Sequence, residues 1–250
     1  MGYWPVVFDM LRDVDIVIMV GDARMPDLSI NQEVIKHARN NGKQIVIVYT
    51  KRDLIGRERL NSLQGHYPQA LFVAGVKNEG ISALRRELQI MGKRMKLDEA
   101  KVGVFGYPNV GKSALINALA RGRRALVANQ PGTTRGVQWI KAAGLCILDS
   151  PGVIPMVDKN RKLVLLGSKS PDMLLAPDKH AFDILTMFLV KCPERLKEYY
   201  KLDELALEPY DLLLQIGEAR KFVKKGGVVD EDRTARTIIR EWQIGKLKLD

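Results

Sequence analysis

Short apolar runs rich in valine and isoleucine alternate with helical stretches through the first part of the chain. The runs are bounded by glycine, aspartate or proline and lie at 14–22, 44–50, 71–76, 101–106 and 145–149. Continuous apolar runs of strand length are typical of parallel strands buried on both faces. Helical patterns lie between them, at 29–41, 80–97 and 112–121. This alternation predicts an α/β domain with a doubly wound, mostly parallel sheet.

The second part of the chain has a different pattern. Residues 153–179 show no sustained periodicity, which predicts a connector. The connector contains three prolines: Pro155, Pro171 and Pro177. The pattern then becomes helical, with no strong strand candidate. We expect two domains, an α/β domain with the start of the linker over 1–164 and the linker end with a small all-α domain over 165–250.

The composition fits a globular protein of a reducing compartment. The 250 residues are 46% hydrophobic, which suffices for real cores at this length. The longest apolar runs are far shorter than the ~20 residues of a membrane span, and the start of the chain lacks a signal-peptide pattern. Cys146 and Cys192 lie in apolar contexts far apart in sequence, which favours buried thiols over a disulfide. We expect a cytoplasmic protein with no membrane partner.

Charge adds a hint about partners. The net charge of +11 favours a polyanion such as nucleic acid, although basic surfaces also serve solubility. Residues 165–250 hold 15 Lys/Arg and 15 Asp/Glu, whereas residues 1–164 hold 25 against 14. All of the excess positive charge therefore belongs to the first part of the chain.

A phosphate-binding pattern lies at residues 106–113, which read Gly-Tyr-Pro-Asn-Val-Gly-Lys-Ser. This P-loop pattern follows a predicted strand and begins a predicted helix, as it should. Its glycines let backbone amides curl around phosphate oxygens, Lys112 neutralises the β and γ phosphates, and Ser113 offers a hydroxyl to Mg²⁺. The expected nucleotide contacts come from Asn109, Val110, Gly111, Lys112, Ser113 and Ala114.

Two segments downstream complete a magnesium and γ-phosphate site. Asp149-Ser150-Pro151-Gly152 follows a predicted strand, so that Asp149 can hold a metal-bound water and the Gly152 amide can face the γ-phosphate. Between it and the P-loop, residues 131–135 read Pro-Gly-Thr-Thr-Arg, and we expect Thr134 to contact Mg²⁺ directly. Both patterns also occur in ordinary turns, and their positions along the chain favour the functional interpretation.

Recognition of a guanine base is indicated upstream of the P-loop. Thr50-Lys51-Arg52-Asp53 is similar to the motif Asn-Lys-x-Asp, in which the carboxylate accepts hydrogen bonds from guanine N1 and N2 and the lysine stem covers the base. Asp53 therefore indicates GTP. Thr50 replaces the usual asparagine, so we expect one tether between base loop and P-loop to be shortened or missing. The last base loop reads Ala74-Gly75-Val76 in place of Ser-Ala-Lys and can offer a backbone amide.

The order of these segments is unusual. The two base loops come first, and the P-loop, Thr134 and Asp149–Gly152 follow. At this point the chain resembles the circularly permuted GTPases of the YlqF/RbgA ribosome-biogenesis family. The resemblance covers residues 14–154 and includes Asp22-Ala23-Arg24-Met25-Pro26, which is similar to that family's Asp-Ala-Arg-x-Pro signature. It implies a circularly permuted P-loop GTPase domain followed by a small all-α domain.

The resemblance also implies an activity and a partner. The family hydrolyses GTP in assembly of the large ribosomal subunit, with its helical domain contacting rRNA. We expect GTP/GDP and Mg²⁺ as ligands, and a slow hydrolysis stimulated by the large subunit or its precursor. The residues expected to serve catalysis are Lys112, Thr134, Gly152 and Asn109.

Two positions bear on the hydrolysis rate. Val153 stands where Ras-like enzymes carry a glutamine, and an aliphatic side chain cannot orient the attacking water. Asn109 matches a P-loop asparagine with which related GTPases hold a potassium ion, so K⁺ is a further candidate cofactor. A plain turn asparagine is an equally good interpretation of Asn109.

The helical part offers a cationic surface. Asp230 can cap a helix in which Ala235, Ile239 and Trp242 face the core. The expected RNA-binding residues are Arg220, Lys221 and Lys224 on one helix and Arg233, Arg236 and Arg240 on the next. Such a stripe would engage phosphates and read no bases. A solvated face balanced by neighbouring acids is the alternative.

Two other functions remain open from the sequence. The chain could be a nucleotide-dependent RNA- or protein-binding module with little intrinsic hydrolysis, which the unusual Val153 favours. A P-loop ATPase or kinase is the third interpretation, and Asp53 argues against it.

Overall fold

A computed structural model describes residues 4–121, 126–128, 139–155 and 158–249, with the backbone alone at 126–128. The chain forms two compact units. The first comprises Met1–Asp53 and Arg57–Val157, and the second comprises Leu54–Gly56 and Asp158–Asp250. The division after residue 157 differs from the boundary expected after residue 164.

The first unit is built on one sheet. Its strands within the described residues are β1 Ile16–Asp22, β2 Gln44–Thr50, β3 Leu71–Phe72, β4 Ala100–Gly106, β5 Leu126–Ala128, β6 Trp139–Ala142 and β7 Leu145–Asp149. They lie in the order β3-β2-β1-β4-β7-β6-β5. The five strands from β3 to β7 in this order are parallel. At one edge, β6 pairs antiparallel with β7, and β5 pairs antiparallel with β6. The predicted doubly wound, mostly parallel sheet is confirmed.

Burial explains why the central strands were visible in the sequence. Every residue of β1 is buried, because the strand lies between β2 and β4 and has helices on both sides in a fold of this kind. The expected strand at 71–76 is shorter, since only Leu71–Phe72 pairs with β2. β5 and β6 were not predicted, because they are short and β6 is only partly buried.

Helices connect the strands of this unit. They are α1 Trp4–Asp13, α2 Pro26–Ser29, α3 Gln32–Asn40, α4 Arg57–His66, α5 Ile81–Arg94 and α6 Lys112–Ala120. The three predicted helices correspond to α3, α5 and α6. The helix expected from residue 29 begins at Gln32, because the Asn31 side chain caps α3 by accepting from the amides of Glu33 and Val34.

The second unit is helical, as predicted. It contains α7 Asn160–Leu165, α8 Pro177–Lys191, α9 Pro193–Tyr200, α10 Pro209–Ala219 and α11 Glu231–Gln243. Trp242 is fully buried and meets Phe188 edge-on, with 5.9 Å between ring centroids. Its indole Nε1 donates to the Leu165 carbonyl at 2.9 Å, which ties α7 to α11.

The prolines of the expected connector have another role. Pro171 opens a 3-10 turn and Pro177 opens α8. Proline is well suited to the first turn of a helix because its missing N–H would have no helical partner there. These prolines therefore mark helix starts, and α7 belongs to the helical unit.

Candidate nucleotide-binding site

Four parallel strands end at the same edge of the sheet. The register pairs Asp22 with Thr50, and Val20 with Gly106. On the other side of β4, Val104 pairs with Asp149. The carboxyl edge of an open α/β sheet is where such folds bind ligands. The structure thus brings together the base motif, the P-loop and the Asp149–Gly152 segment, which are far apart in sequence.

The P-loop joins β4 to α6 through two left-handed residues. Asn109 has φ of 60° and Gly111 has φ of 103°, so the loop turns back before α6 begins at Lys112. The conformation at Gly111 is one that side chains rarely adopt. The amide groups at the start of α6 consequently face the carboxyl edge of the sheet, as a helix N-terminus that binds phosphate requires.

Lys112 lies under this loop. Its ammonium donates to the carbonyls of Tyr107 at 2.8 Å and Gly106 at 3.2 Å. Burial lowers the pKa of Lys112 to about 8, and the Asp149 carboxylate opposes this shift. The cation is therefore held within the loop, where a phosphate group would meet it.

The two predicted Mg²⁺-linked side chains are neighbours. The Ser113 hydroxyl lies 3.4 Å from the Asp149 carboxylate. Burial raises the pKa of Asp149, while Lys112 and Ser113 act to lower it. A hydroxyl and a carboxylate are oxygen ligands of the kind that Mg²⁺ prefers. The donor set therefore fits the metal. Thr134, the third predicted ligand, lies outside the described residues.

Gly152 packs directly on the P-loop. A Cβ atom at this position would lie 2.7 Å from Pro108 Cγ and 2.8 Å from the Pro108 backbone. The next residue, Val153, is 2% exposed and its amide donates to the Gly106 carbonyl at 3.1 Å. Its own carbonyl accepts from the Asn31 amide at 3.3 Å. The segment after Asp149 is therefore attached both to the P-loop and to the start of α3.

Thr50 provides a tether that the sequence left in doubt. Its hydroxyl faces two carbonyls, that of Gly21 at 3.0 Å and that of Val110 in the P-loop. The residue is buried, and a Cβ at Gly111 would lie 3.0 Å from the hydroxyl oxygen. The threonine thus replaces the asparagine tether with a compact one, and the link between base loop and P-loop is present.

Lys51 is held by a buried ion pair. It has a left-handed backbone, with φ of 57°, and its ammonium lies 2.8 Å from Asp22 Oδ2. Asp22 also pairs with Arg24 at 2.8 Å. Burial would raise the pKa of Asp22, but Arg24 and Lys51 outweigh it and lower that pKa to about 2.

The two base loops are joined by Arg52. Its guanidinium lies 3.2 Å from Glu79 and donates to the Phe72 carbonyl at 3.3 Å. Ala74 and Glu79 exchange backbone hydrogen bonds of 3.0 and 3.1 Å. Asp53, the next residue after Arg52, is half-buried.

Gly75 brings the second base loop against α6. A Cβ there would lie 2.7 Å from the Ala114 carbonyl oxygen. Ala74 and Gly75, which the sequence assigned to the base site, thus lie beside the P-loop helix. In the sequence analysis, Asp22 and Arg24 were named only as part of the family signature, and Arg52 only as a motif position. A charged residue that ends an apolar strand was a usable signal for a site role of Asp22.

Five of the six predicted RNA-binding residues make contacts within the helical unit. Arg220 pairs with Glu241 at 3.1 Å, Lys224 with Asp230 at 3.5 Å, and Arg240 with Asp172 at 2.8 Å. Arg233 lies over the Phe222 ring at 4.3 Å, and Arg236 pairs with Asp232 at 2.7 Å. Lys221 is exposed and has a left-handed backbone. These contacts favour the alternative of a balanced face, most clearly for Arg236.

The predicted helix cap and core face are present. The Asp230 carboxylate accepts from the Arg233 amide at 3.2 Å, and Ala235, Ile239 and Trp242 are fully buried.

Among the described residues, every helix is too short or too polar to cross a membrane.

Fold and site together define a P-loop nucleotide-binding protein whose base loops precede the phosphate loop. Two family models match the chain, one described as RsgA GTPase over residues 9–156 and one as 50S ribosome-binding GTPase over residues 101–215. The second match begins in β4, the strand that leads into the P-loop.

Several relatives match most of this chain. Ribosome biogenesis GTPase A of Priestia megaterium is 30% identical over 96% of this chain and 89% of its own length. An uncharacterized GTP-binding protein of Methanocaldococcus jannaschii is 35% identical over 97% of this chain, which spans 65% of that protein. Nuclear/nucleolar GTPase 2 of rice is 30% identical, and the chain spans 47% of it.

This chain belongs to the circularly permuted ribosome biogenesis GTPase family of YlqF/RbgA type. The fold agrees with solved structures of that type. GNP-bound YlqF from T. maritima has a TM-score of 0.64 at 22% identity, covering 98% of this chain and 94% of that one. A GDP-bound YlqF structure gives a TM-score of 0.63 at 23% identity, covering 97% and 96% of the two chains.

Proposed function

We propose that this chain is a GTP-binding and GTP-hydrolysing switch protein that assists ribosome assembly. The observation that carries the proposal is the meeting of the base motif, the P-loop and the Asp149–Gly152 segment at one edge of the sheet. Each motif could be an ordinary turn by itself. Their convergence at a ligand-binding edge makes a common guanine nucleotide the simplest explanation.

The phosphate side of the site would work through fixed positive charge and backbone amides. Lys112 and the amides at the start of α6 would hold the β and γ phosphates. Ser113 and Asp149 would hold Mg²⁺, which supplies charge neutralisation at the phosphates when it is bound. Thr134 is proposed as a further ligand and the Gly152 amide as the contact to the γ-phosphate. Asn109 is proposed to hold K⁺ beside them.

The base side would select guanine through Asp53. Its carboxylate can accept from N1 and N2 of guanine, which adenine cannot supply. The Lys51 stem would cover one face of the base, and the backbone at Ala74–Gly75 would meet guanine O6. Arg52 supports this assignment because it links the two base loops.

The partner is proposed to be the large ribosomal subunit or its precursor, contacted through rRNA. The names of the relatives support a ribosomal partner, and the excess of 25 Lys/Arg over 14 Asp/Glu in residues 1–164 supports a polyanionic one. The six cationic residues of the helical unit are retained as candidate contacts. Because the other five make intramolecular contacts, Lys221 is the strongest candidate for an rRNA contact.

Base selectivity tests the nucleotide part of the proposal. The wild-type chain should bind fluorescent GDP and lose it to GTP but not to ATP. In Asp53→Asn the carboxylate acceptor becomes an amide whose NH₂ group can donate to the C2 oxygen of xanthine. We therefore expect weaker GDP binding and stronger xanthosine diphosphate binding. Unchanged selectivity in this variant would contradict the proposed base site.

Cosedimentation tests the partner. The chain should pellet with purified large ribosomal subunits when loaded with a non-hydrolysable GTP analogue and be released when loaded with GDP. GTP turnover should rise on addition of subunits, more strongly with K⁺ than with Na⁺. Small ribosomal subunits are the control. Equal pelleting in both nucleotide states would contradict the switch.

A second candidate function is a nucleotide-dependent binding module with little hydrolysis. The buried Val153 favours it, because no polar side chain at that position can orient water. Absence of subunit-stimulated turnover, with nucleotide-dependent pelleting retained, would select this function.

A further inference from the structure

A three-charge cluster lies at the end of β1, beside the base motif. Asp22 accepts from Arg24 Nε at 3.1 Å and Nη2 at 2.8 Å, and also from the Arg24 backbone amide at 3.0 Å. The second carboxylate oxygen also receives the Lys51 ammonium at 2.8 Å. Asp22 is 1% exposed and Arg24 is not exposed at all. The carboxylate is thus held on one side by the planar Arg24 guanidinium and pairs on the other side with the Lys51 ammonium.

Surrounding contacts fix the clamp in place. The Asp22 amide donates to the Ser29 hydroxyl at 2.9 Å, and the Arg24 carbonyl accepts from Arg59 at 3.1 Å. Taking two charges out of water is costly, and an ion pair of this kind gives no reliable gain in stability over apolar residues. A buried pair with a third, partly exposed cation attached therefore needs a reason other than stability.

The geometry of Lys51 supplies that reason. A lysine side chain has a flexible stem of four carbons and loses much rotamer freedom when its ammonium is held in one place. Here the Lys51 backbone is left-handed, and the ammonium pairs with Asp22, the last residue of β1. Both ends of the aliphatic stem are consequently held, one by the backbone and the other by the ion pair with Asp22.

We propose that Asp22, oriented by Arg24, is a positioning residue for base recognition, which preorganises the Lys51 stem as the apolar platform for guanine. The inference rests on the proposed function, since it concerns the same site. It assigns a role to Asp22 and Arg24 that the nucleotide motifs themselves do not include. Preorganisation reduces the entropy cost of binding, so the clamp contributes affinity without touching the ligand.

A double-mutant cycle tests this role. Asp22→Asn removes the counter-charge of Lys51, and Lys51→Met keeps the apolar stem without the ammonium. We expect Asp22→Asn to raise the Kd for fluorescent GDP about tenfold, equivalent to about 1.4 kcal/mol. In the Lys51→Met background the same change should raise the Kd less than about twofold, because the ammonium on which Asp22 acts is gone. Equal effects in both backgrounds would overturn the proposal.

Two further variants keep the test independent of folding. If Asp22→Asn alone does not fold because Arg24 loses the negative charge of Asp22, the double variant Asp22→Asn with Arg24→Gln removes both buried charges together. Asp15→Asn is the matched control, because Asp15 stands at the opposite end of the same strand and accepts from the Lys101 amide at 2.9 Å. It should leave the Kd unchanged.

The base preference separates positioning from general damage. The ratio of Kd values for GDP and inosine diphosphate depends on the 2-amino group that Asp53 recognises, so it should stay constant in Asp22→Asn while both values rise. A changed ratio would mean that the Asp53 loop itself is displaced, which contradicts the proposal. Failure of the wild-type chain to bind GDP would instead overturn the proposed function, and this inference with it.

Discussion

The hydroxyl of Thr50 donates to the carbonyl of Val110, and so the last residue of β2 is tied to the P-loop. The Gly21 carbonyl at 3.0 Å competes for the same proton, because a hydroxyl has a single hydrogen to donate. Base loop, P-loop and the end of β1 therefore share one small side chain. The phosphate and base halves of the site, which the permutation separates in sequence, are connected at this point.

Thr50→Val should weaken both stability and nucleotide binding. The substitution keeps the shape but removes the single hydroxyl proton for which the two buried carbonyls compete, which costs about 1–3 kcal/mol. Urea unfolding measures the loss, and GDP titration should show a raised Kd. Thr50→Ser keeps the hydroxyl and is the matched control. Unchanged stability and GDP affinity in Thr50→Val would contradict the hydroxyl tether.

Asn31 joins α3 to the segment after Gly152 and can be dissected by two substitutions. Its Oδ1 accepts from the amides of Glu33 and Val34, and its Nδ2 donates to the Val153 carbonyl. Asn31→Asp keeps the cap and removes the donor, whereas Asn31→Ala removes both. Loss of the cap costs about 1 kcal/mol.

Amide hydrogen exchange resolves these two functions. Val153 donates its amide to Gly106, and we expect its protection to fall in both variants because its carbonyl is no longer held. Protection at Val34 should fall only in Asn31→Ala. Retained protection of Val153 in Asn31→Asp would show that the Asn31 contact does not hold this segment.

Gly152→Ala should impair hydrolysis more than GDP binding. The added Cβ would lie 2.7–2.8 Å from atoms of Pro108, including its backbone, which cannot move aside cheaply. The segment must shift away from the P-loop, and the amide proposed to meet the γ-phosphate shifts with it. Single-turnover GTP hydrolysis and GDP affinity, measured together, check this expectation.

Gly65→Ala is the control for Gly152→Ala. Gly65 lies in α4, and a Cβ there would meet nothing within 4 Å. Alanine at such a position stabilises a helix by about 0.5–1 kcal/mol. This variant should keep full activity and show a slightly higher free energy of unfolding. Equal hydrolysis rates in the two variants would contradict the role of Gly152.

The Asp22 cluster should make stability depend on pH in acid. The pKa of Asp22 falls from 3.8 to about 2 in the folded chain, a shift equivalent to about 2 kcal/mol. Because the folded value is the lower one, this contribution is present above about pH 4 and is lost as the pH falls toward 2. The measurement is the free energy of unfolding of the wild type minus that of Asp22→Asn. This difference should narrow over that range, and a constant difference would contradict the ion pair.

The sequence predicted the elements whose signal is local and continuous. Buried strands such as β1 have uninterrupted apolar runs, and the P-loop has a fixed spacing between a strand and a helix, so both were predicted. β6 was missed because four residues, of which only Trp139 and Ala142 are buried, give no distinct period. Pro171 and Pro177 were assigned to a connector. The sequence alone does not distinguish a proline that interrupts structure from a proline that begins a helix.

The sequence predicted the residues of the nucleotide-binding motifs but not the residues that hold those motifs in place. Lys51 and Asp53 follow from the base motif, but Arg52 stands at a position where that motif allows any residue. Its link to Glu79 joins segments 27 positions apart and depends on the tertiary fold. The tether by Thr50 was underestimated for the same reason, because its acceptor at Val110 lies 60 residues away.

Arg236 and Lys221 offer a comparison between a structural and a surface role in the helical unit. The Arg236 guanidinium donates to Asp232, to the Leu174 carbonyl at 3.1 Å and to the Pro171 carbonyl. It thereby ties the loop before α8 to α11. We expect Arg236→Gln to lower the free energy of unfolding by about 1–3 kcal/mol, since charged hydrogen bonds to a half-buried loop are lost. Lys221→Gln, at an exposed position, should change it by less than about 0.5 kcal/mol.

RNA binding by the same two variants separates their roles further. If Lys221 contacts a phosphate, Lys221→Gln should weaken binding to rRNA and reduce the slope of log Kd against log salt by about one unit. Arg236→Gln should leave that slope unchanged, because its charge is already engaged by Asp232 and two carbonyls. Filter binding over a series of salt concentrations measures both slopes. A reduced slope in Arg236→Gln would show that the arginine leaves its intramolecular partners to bind RNA, and it would restore the whole stripe as an RNA surface.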